Sequence, residues 1–396
     1  MINETYRTML GKKSVIRELS ELATRMAGEP GGPAEIFDYS LGNPSVPVPE
    51  AVTEYAVRLL REKPSLVHGY SPTLGIPLVK EKLAASLSRR FGLPYTGADV
   101  FPTSGAGGAL AHAFRLVTEP GDTILAFAPH FPEYRPYVTL AGCRLEVVPA
   151  DLKAFQIDFD LLNQYLTKNV QAVLINSPNN PSGAVYSAET LTRLAGMLER
   201  KEREFGHDLW LISDEPYREI VFDGKEQPYP AWFWPRTITC YSFSKSLSMP
   251  GDRIGYVAVN PESGVSHELA AMCGQVSRGI GHNCPTALMQ LIAAECCEMT
   301  ADLSVYETNM NLLYDGLTGM GFDIVRPGGT FYMTPRAPEK DAGAFSRKAL
   351  EYGIVVVPCD TFGLPGYFRI AYCTDTDKVR RSIPAFRKLM TEQYGY

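Results

Sequence analysis

An α/β protein with a mostly parallel sheet covered by helices, joined to a smaller α+β lobe, is what this 396-residue sequence predicts. Three observations carry that expectation. Between about residues 50 and 260, short apolar runs alternate with longer helix-like runs. The short runs are continuously apolar, as strands buried on both faces must be. After about residue 264 the order changes to long helical segments, then short strands, then a last helix. The length also exceeds what one simple core fills, which predicts two lobes.

Taken in order, the first 40 residues read as a helical arm ending in the turn-rich GEPGGPAE (28–35). The proline-rich SLGNPSVPVP (40–49) must be an extended connection, because proline removes a backbone donor and fixes φ. DVFPTSG then leads into the helical AGGALAHAFRLV, and DTILAFAP into EYRPYVTLAG. QAVLINSP is followed, after a loop, by the helical SAETLTRLAGMLERKERE. The strands DLWLISDE, TITCYSFSK and RIGYVAVN complete this part. The second lobe is expected to have short strands at FDIV, TFYMT, GIVVVP and YFRIAYC, and a final helix from about residue 376. The expected division is an N-terminal arm with part of the small domain (1–48), a large domain (49–285) and a small C-terminal domain (286–396).

Composition removes several function classes. The net charge of −6 gives no basic footprint for nucleic acid or an anionic membrane. No run approaches the roughly 20 apolar residues of a membrane helix, and the N-terminus lacks the apolar core of a secretory signal. The eight cysteines are scattered without a C-x-x-C pair, which reads as reduced, cytoplasmic usage rather than a disulfide frame or zinc site. His267 and Glu268 begin like a zinc-protease helix, but the second histidine is missing, and no metal is expected.

In an α/β sheet, ligands bind beyond the carboxyl ends of the strands. The residues found there carry the chemistry. TSGAGGAL follows one strand, and its small residues let backbone N–H groups and a helix N-terminus approach an anion. Asn180 follows another in NSPNNPSG. Asp214 comes just after the apolar run Leu209–Ile212, with Tyr217 three residues on. Lys245 follows the Thr237–Tyr241 run, and Arg253 comes eight residues later. A tight turn, a helix cap and a solvated lysine are ordinary explanations for each taken singly. Converging on one pocket, they suit pyridoxal phosphate. That cofactor needs a lysine for its aldehyde, an anion beside its pyridine nitrogen, donors for its ring oxygen and a cup for its phosphate.

The stretches SFSKSLSMPGDRIGY, NSPNNPSG, SDEPYREI and YFRIAYC together resemble the class I/II aminotransferases, pyridoxal-phosphate enzymes of fold type I. The resemblance runs from SLGNPSVPVP to Arg369. It implies Lys245 as the Schiff-base lysine and proton carrier, Asp214 at the pyridine nitrogen, and Asn180 with Tyr217 at the ring oxygen. Gly105, Ala106 and Gly107 would give backbone donors to the phosphate, joined by Ser242, Ser244 and Arg253. Phe131 would stack on the ring, where the family often has Trp or Tyr. Tyr70 would reach the phosphate of a neighbouring subunit in a homodimer. Arg369 would bind the substrate α-carboxylate, with Gly42 nearby. Arg278, ahead of HNCP, would bind the distal carboxylate of an acidic substrate across the interface. The implied activity is amino transfer from an amino acid to a 2-oxo acid. A carbon–sulfur β-lyase is the alternative on the same scaffold, and an aminotransferase-like transcription regulator a third. The regulator needs a DNA-binding domain, whereas about 40 non-basic residues precede SLGNPSVPVP.

Overall fold

The computed structural model describes residues 2–10, 15–26, 33 and 35–396. The turn expected at GEPGGPAE therefore lies outside the described residues, apart from Pro33 and Glu35. Seven strands form the large sheet: β1 (Val100–Thr103), β2 (Thr123–Phe127), β3 (Arg144–Val148), β4 (Val170–Asn176), β5 (Trp210–Asp214), β6 (Thr237–Ser242) and β7 (Gly255–Val259). Their order is β1-β7-β6-β5-β4-β2-β3. β7 runs antiparallel to both β1 and β6, and the other pairs are parallel. The continuously apolar runs are the inner strands, every residue of β2, β5, β6 and β7 being buried. β3 was not anticipated. It is the edge strand and carries Arg144 and Glu146, so it lacks the apolar signature of its neighbours.

Helices between the strands close as their sequences dictate. The helix Ala188–Phe205 starts where the Ser187 hydroxyl accepts from the Thr190 N–H and stops at Gly206, which takes a left-handed φ of 77°. The helix Gly105–Val117 follows β1 and packs over β6 and β7.

The small lobe has a three-stranded antiparallel sheet of β8 (Tyr332–Met333), β9 (Val357–Pro358) and β10 (Phe368–Ala371), in the order β9-β10-β8. Phe37–Asp38 pairs in parallel with Ile354–Val355, so the N-terminal segment joins the C-terminal lobe. Tyr39 anchors it by donating to Ser382 Oγ at 2.7 Å inside the core that also holds Phe345, Phe368 and Phe386. The strand expected at FDIV does not form. Phe322 instead points into this core, edge-on to Phe345, Phe368 and Phe386, so apolarity there reflects packing without strand pairing. The other expected strands shorten to two to four residues, and the last helix is Thr376–Tyr394.

Register decides what the sheet offers at its carboxyl edge. Asn176 at the end of β4 lies opposite Asp214 at the end of β5. Asp214 lies opposite Cys240, two residues before Ser242 ends β6. Ser242 and Thr103 both face Gly255 on β7. Among the described residues, no helix is long and apolar enough to cross a membrane.

Candidate active site

Lys245 stands on a single helical turn, Phe243–Ser246, directly after β6. The Ser242 hydroxyl caps that turn by accepting from the Ser244 N–H at 3.2 Å. The lysine Nζ donates to the Gly42 carbonyl at 2.8 Å and lies 5.3 Å from the Phe331 ring centre. Burial pulls its pKa from the usual 10.5 down to about 8, helped by the positive Arg253 and Arg369 and opposed by Cys373. Among the described residues no carboxylate bonds this amine, so near neutral pH a real fraction of it is an unprotonated nucleophile.

Asp214 ends β5 and is buried. Its Oδ2 accepts from the Tyr134 hydroxyl at 2.5 Å, and its backbone carbonyl accepts from Asn176 Nδ2 at 2.9 Å. Its Oδ1 is buried with no hydrogen-bond partner among the described residues. Burial raises its pKa to about 7, Tyr134 opposes the rise, and Glu215 adds to it. An unsatisfied buried acceptor costs about 1–3 kcal/mol, so Oδ1 is suited to a donor brought by a ligand.

Two arginines are buried among the described residues, and their surroundings differ. Arg218 donates from Nε to Glu215 Oε2 at 2.7 Å and from Nη1 to the Tyr256 hydroxyl at 3.1 Å, so its charge is paired internally although its Nη2 has no partner among the described residues. Arg369 has no acidic partner among the described residues. Its Nη1 donates to Asn180 Oδ1 at 3.0 Å and its Nη2 to the Ser40 carbonyl at 2.6 Å, while Nε has no partner. A buried guanidinium held by neutral groups alone keeps its charge for an anion that arrives from outside.

Arg253 follows the lysine turn with a left-handed φ of 52°, a strained value for a side-chain-bearing residue. It donates to Ser244 Oγ at 3.4 Å and to the Ser104 carbonyl at 3.1 Å. Ser242 and Ser244 share a 2.7 Å hydroxyl contact. Gly105 (φ 74°) opens the helix beside this arginine, and a Cβ there would come within 2.7 Å of Arg253 Nη2. Glycine is therefore what lets the guanidinium and the helix N-terminus approach one point. Ala106 and Gly107 continue that first turn, with Gly107 against the Tyr137 hydroxyl.

One thread of contacts runs through the site. Lys245 reaches Gly42, and Gly42 packs on the Tyr332 hydroxyl. The Tyr332 ring lies 4.5 Å from the Arg369 guanidinium, and Arg369 reaches Asn180. The Asn180 N–H donates to Asn176 Oδ1 at 2.8 Å, and Asn176 reaches Asp214. The buried Tyr217 lies on it through a 3.4 Å hydroxyl contact to Tyr332, and Phe131 meets Tyr134 edge-on at 5.7 Å. The donor set, the partnerless Asp214 oxygen and the glycine-lined anion cup fit pyridoxal phosphate.

The family model for aminotransferases of class I and II matches residues 34–386. The chain belongs to the class I and II aminotransferases. It is 31% identical over 367 residues to an aspartate/prephenate aminotransferase of Thermus thermophilus, covering 90% of this chain and 91% of that one. It is also 31% identical over 404 residues to aromatic-amino-acid aminotransferase 2 of Thermococcus litoralis, covering 96% of each. The crystal structure of an aminotransferase from Eubacterium rectale matches at 40% identity with a TM-score of 0.96, over 100% of this chain and 99% of that one. The T. thermophilus aspartate aminotransferase crystallised with maleate matches at 29% identity and a TM-score of 0.84, over 98% and 100%. The protein is thus a pyridoxal-phosphate-dependent aminotransferase, and nothing in these comparisons favours the carbon–sulfur β-lyase alternative.

Two sequence-derived site residues stand apart from the aminotransferase pocket. Tyr70 is fully exposed, and Arg278 is exposed in the last turn of the helix Ser266–Ile280. Several pocket residues escaped the sequence reading: Tyr134, Phe331, Tyr332, Phe362 and Ser40. Tyr134 had a signal, since it lies three residues after Phe131 at a helix start. Ser40 contributes only a carbonyl, which no side-chain pattern reports.

Proposed function

We propose that this aminotransferase moves the amino group of a carboxylate-bearing amino acid to a 2-oxo acid through a covalent cofactor link at Lys245. The partnerless Asp214 Oδ1 is the observation that carries this reading. It needs a positive N–H donor, and a protonated pyridine nitrogen is one. The bound cofactor supplies an electron sink for the negative charge that develops when the substrate Cα loses its proton.

The chain's own residues do the rest. Lys245 Nζ takes and returns that proton. Asp214 keeps the pyridine nitrogen charged, while Asn180 and Tyr217 donate to the ring oxygen. The N–H groups of Gly105, Ala106 and Gly107, with Ser242, Ser244 and Arg253, hold the phosphate. Phe131 covers the ring face. Arg369 clasps the substrate α-carboxylate as a fork of donors, with Gly42 beside it. Tyr70 completes the phosphate site of a second copy in a homodimer, and Arg278 reaches a distal carboxylate across that boundary.

The division at 1–48, 49–285 and 286–396, a cytoplasmic location and a role in amino-acid metabolism belong to the same reading. Eight free cysteines support a reducing compartment. The relatives' names make aspartate, glutamate and aromatic amino acids the donors to try first. The deciding experiment replaces Lys245 with Ala. The wild-type enzyme should be trapped covalently by borohydride and release keto acid without ammonia from a donor panel with 2-oxoglutarate. The variant should lose trapping and turn over orders of magnitude more slowly. Trapping that survives in the variant would remove Lys245 from the reading.

A further inference from the structure

We propose that Tyr332 and Phe362 are positioning residues that hold Arg369 ready for a carboxylate in place of an acidic partner. The inference rests on the carboxylate reading of Arg369 given above. Both rings are buried, at 3% and 0% exposure, and lie 4.5 Å and 5.1 Å from the guanidinium carbon. Ring faces carry partial negative charge and attract a desolvated cation without neutralising it. That distinguishes them from a carboxylate, which would cancel the charge and compete with the ligand.

Arg218 supplies the internal comparison. It too lies against rings, those of Tyr241 at 4.5 Å, Phe91 at 5.1 Å and Tyr229 at 5.4 Å, but it also has Glu215 at 2.7 Å. The protein thus places both buried guanidinium groups among aromatic rings and gives only one of them a counter-ion. Around Arg369 the rings come with two neutral acceptors that take Nη1 and Nη2 and leave Nε without a partner.

Each ring is itself fixed, and from a different part of the chain. The Tyr332 hydroxyl packs on Gly42, where a Cβ would overlap it, and lies 3.4 Å from the Tyr217 hydroxyl. Phe362 ends the short turn Asp360–Phe362, and its carbonyl accepts from the His130 N–H at 2.9 Å. The guanidinium plane is therefore set by groups tied to the N-terminal segment, to the Tyr217 loop and to the loop after β2. Loss of either ring frees the plane and leaves a buried cation less compensated.

The test compares Tyr332→Leu, Phe362→Leu, Tyr332→Phe and Arg369→Gln in the holoenzyme. L-aspartate, L-glutamate, L-alanine and L-phenylalanine serve as donor probes, because they share only the α-amino acid group. Each Leu variant should raise KM about tenfold for every donor that saturates the enzyme, with kcat changed less than about threefold. Tyr332→Phe keeps the ring and should keep KM close to the wild-type value. Affinity of the apoenzyme for pyridoxal phosphate should stay within about twofold in Phe362→Leu, whose ring touches no residue assigned to the cofactor among the described residues, as judged by titration. Unchanged KM in a folded Phe362→Leu variant overturns the proposal even where Tyr332→Leu does not fold. So does a Tyr332→Phe loss as large as that of Tyr332→Leu, which would assign the effect to the hydroxyl. A loss confined to one donor would assign it to the side-chain pocket and also overturn it. If Arg369→Gln leaves KM unaltered, the carboxylate reading falls and the clamp with it. If Arg369→Gln raises KM while both Leu variants are silent, the clamp alone falls.

Discussion

At the scale of single residues, two groups are held away from their ordinary protonation, and burial is the main cause of both. The Lys245 amine is pulled down to about 8, so its neutral form is disfavoured below that pH and prevails above it. Near pH 7 roughly a tenth of it is nucleophilic, against well under a thousandth for an ordinary lysine. The rate at which apoenzyme takes up pyridoxal phosphate should accordingly rise through pH 6–8 and level off above about 8, as followed by absorbance. A rate still climbing steeply past pH 10 would mean that the amine is not depressed. Asp214 is pushed the other way, to about 7, and docking of a cation at its Oδ1 should return it to the ionised form. Asp214→Asn keeps the shape and loses the ionic hydrogen bond. The variant should fold normally, bind the cofactor more weakly and lose at least about a hundredfold in kcat. Near-normal turnover would leave Asp214 as a structural end to β5.

Among elements, the decisive feature is how the strand ends are tied to what surrounds them. Immediately after β5, Glu215 and Arg218 make an ion pair with side chains 0% and 2% exposed. Thr239 of β6 donates to Glu215, and Arg218 donates to the Tyr256 hydroxyl of β7. Phe91, from the end of the helix Pro77–Phe91, lies 5.1 Å from the guanidinium. This cluster locks three adjacent strands and a helix directly behind Asp214. Removing one partner of such a pair leaves an uncompensated buried charge, which costs about 3–5 kcal/mol. Glu215→Gln should lower the unfolding free energy by that much, read in urea as a lower midpoint with an unchanged transition slope. A shift below about 1 kcal/mol would show that the rings alone suffice for Arg218. The same comparison sets Arg369 apart: it has the rings and, among the described residues, no carboxylate, which supports its proposed role.

For the whole molecule, the two lobes meet at the pocket and each supplies part of it. The large sheet presents Asn176, Asp214 and the Lys245 turn, while β8, β10 and the N-terminal segment bring Tyr332, Arg369, Ser40 and Gly42. Tyr70 and Arg278 lie exposed, so their proposed roles require a second copy. Sedimentation at micromolar concentration should give a dimer, and Tyr70→Phe should weaken cofactor affinity while leaving the dimer intact. A fully active monomer would end both assignments. Arg278→Ala should raise KM for aspartate and glutamate and spare alanine. A loss on the order of 2–5 kcal/mol is expected for a buried charge pair. Equal effects on all donors would make Arg278 an interface residue only.

The sequence by itself determined the alternation of buried strands and helices, the change of pattern after about residue 264 and the residues that follow each strand. These are legible because apolar continuity and turn chemistry are local properties of the chain. It did not determine β3, whose edge position permits polar residues, and it overstated FDIV, whose apolar side chains serve packing without pairing. Only the tertiary structure decided that Asp214 keeps one partnerless oxygen, that Tyr134 takes the other, and that Arg369 is held by rings and neutral acceptors. Those facts join residues 80, 189 and 329 positions apart. Burial, charge compensation and hydrogen-bond satisfaction depend on which distant groups share a pocket, and the fold alone brings those groups together.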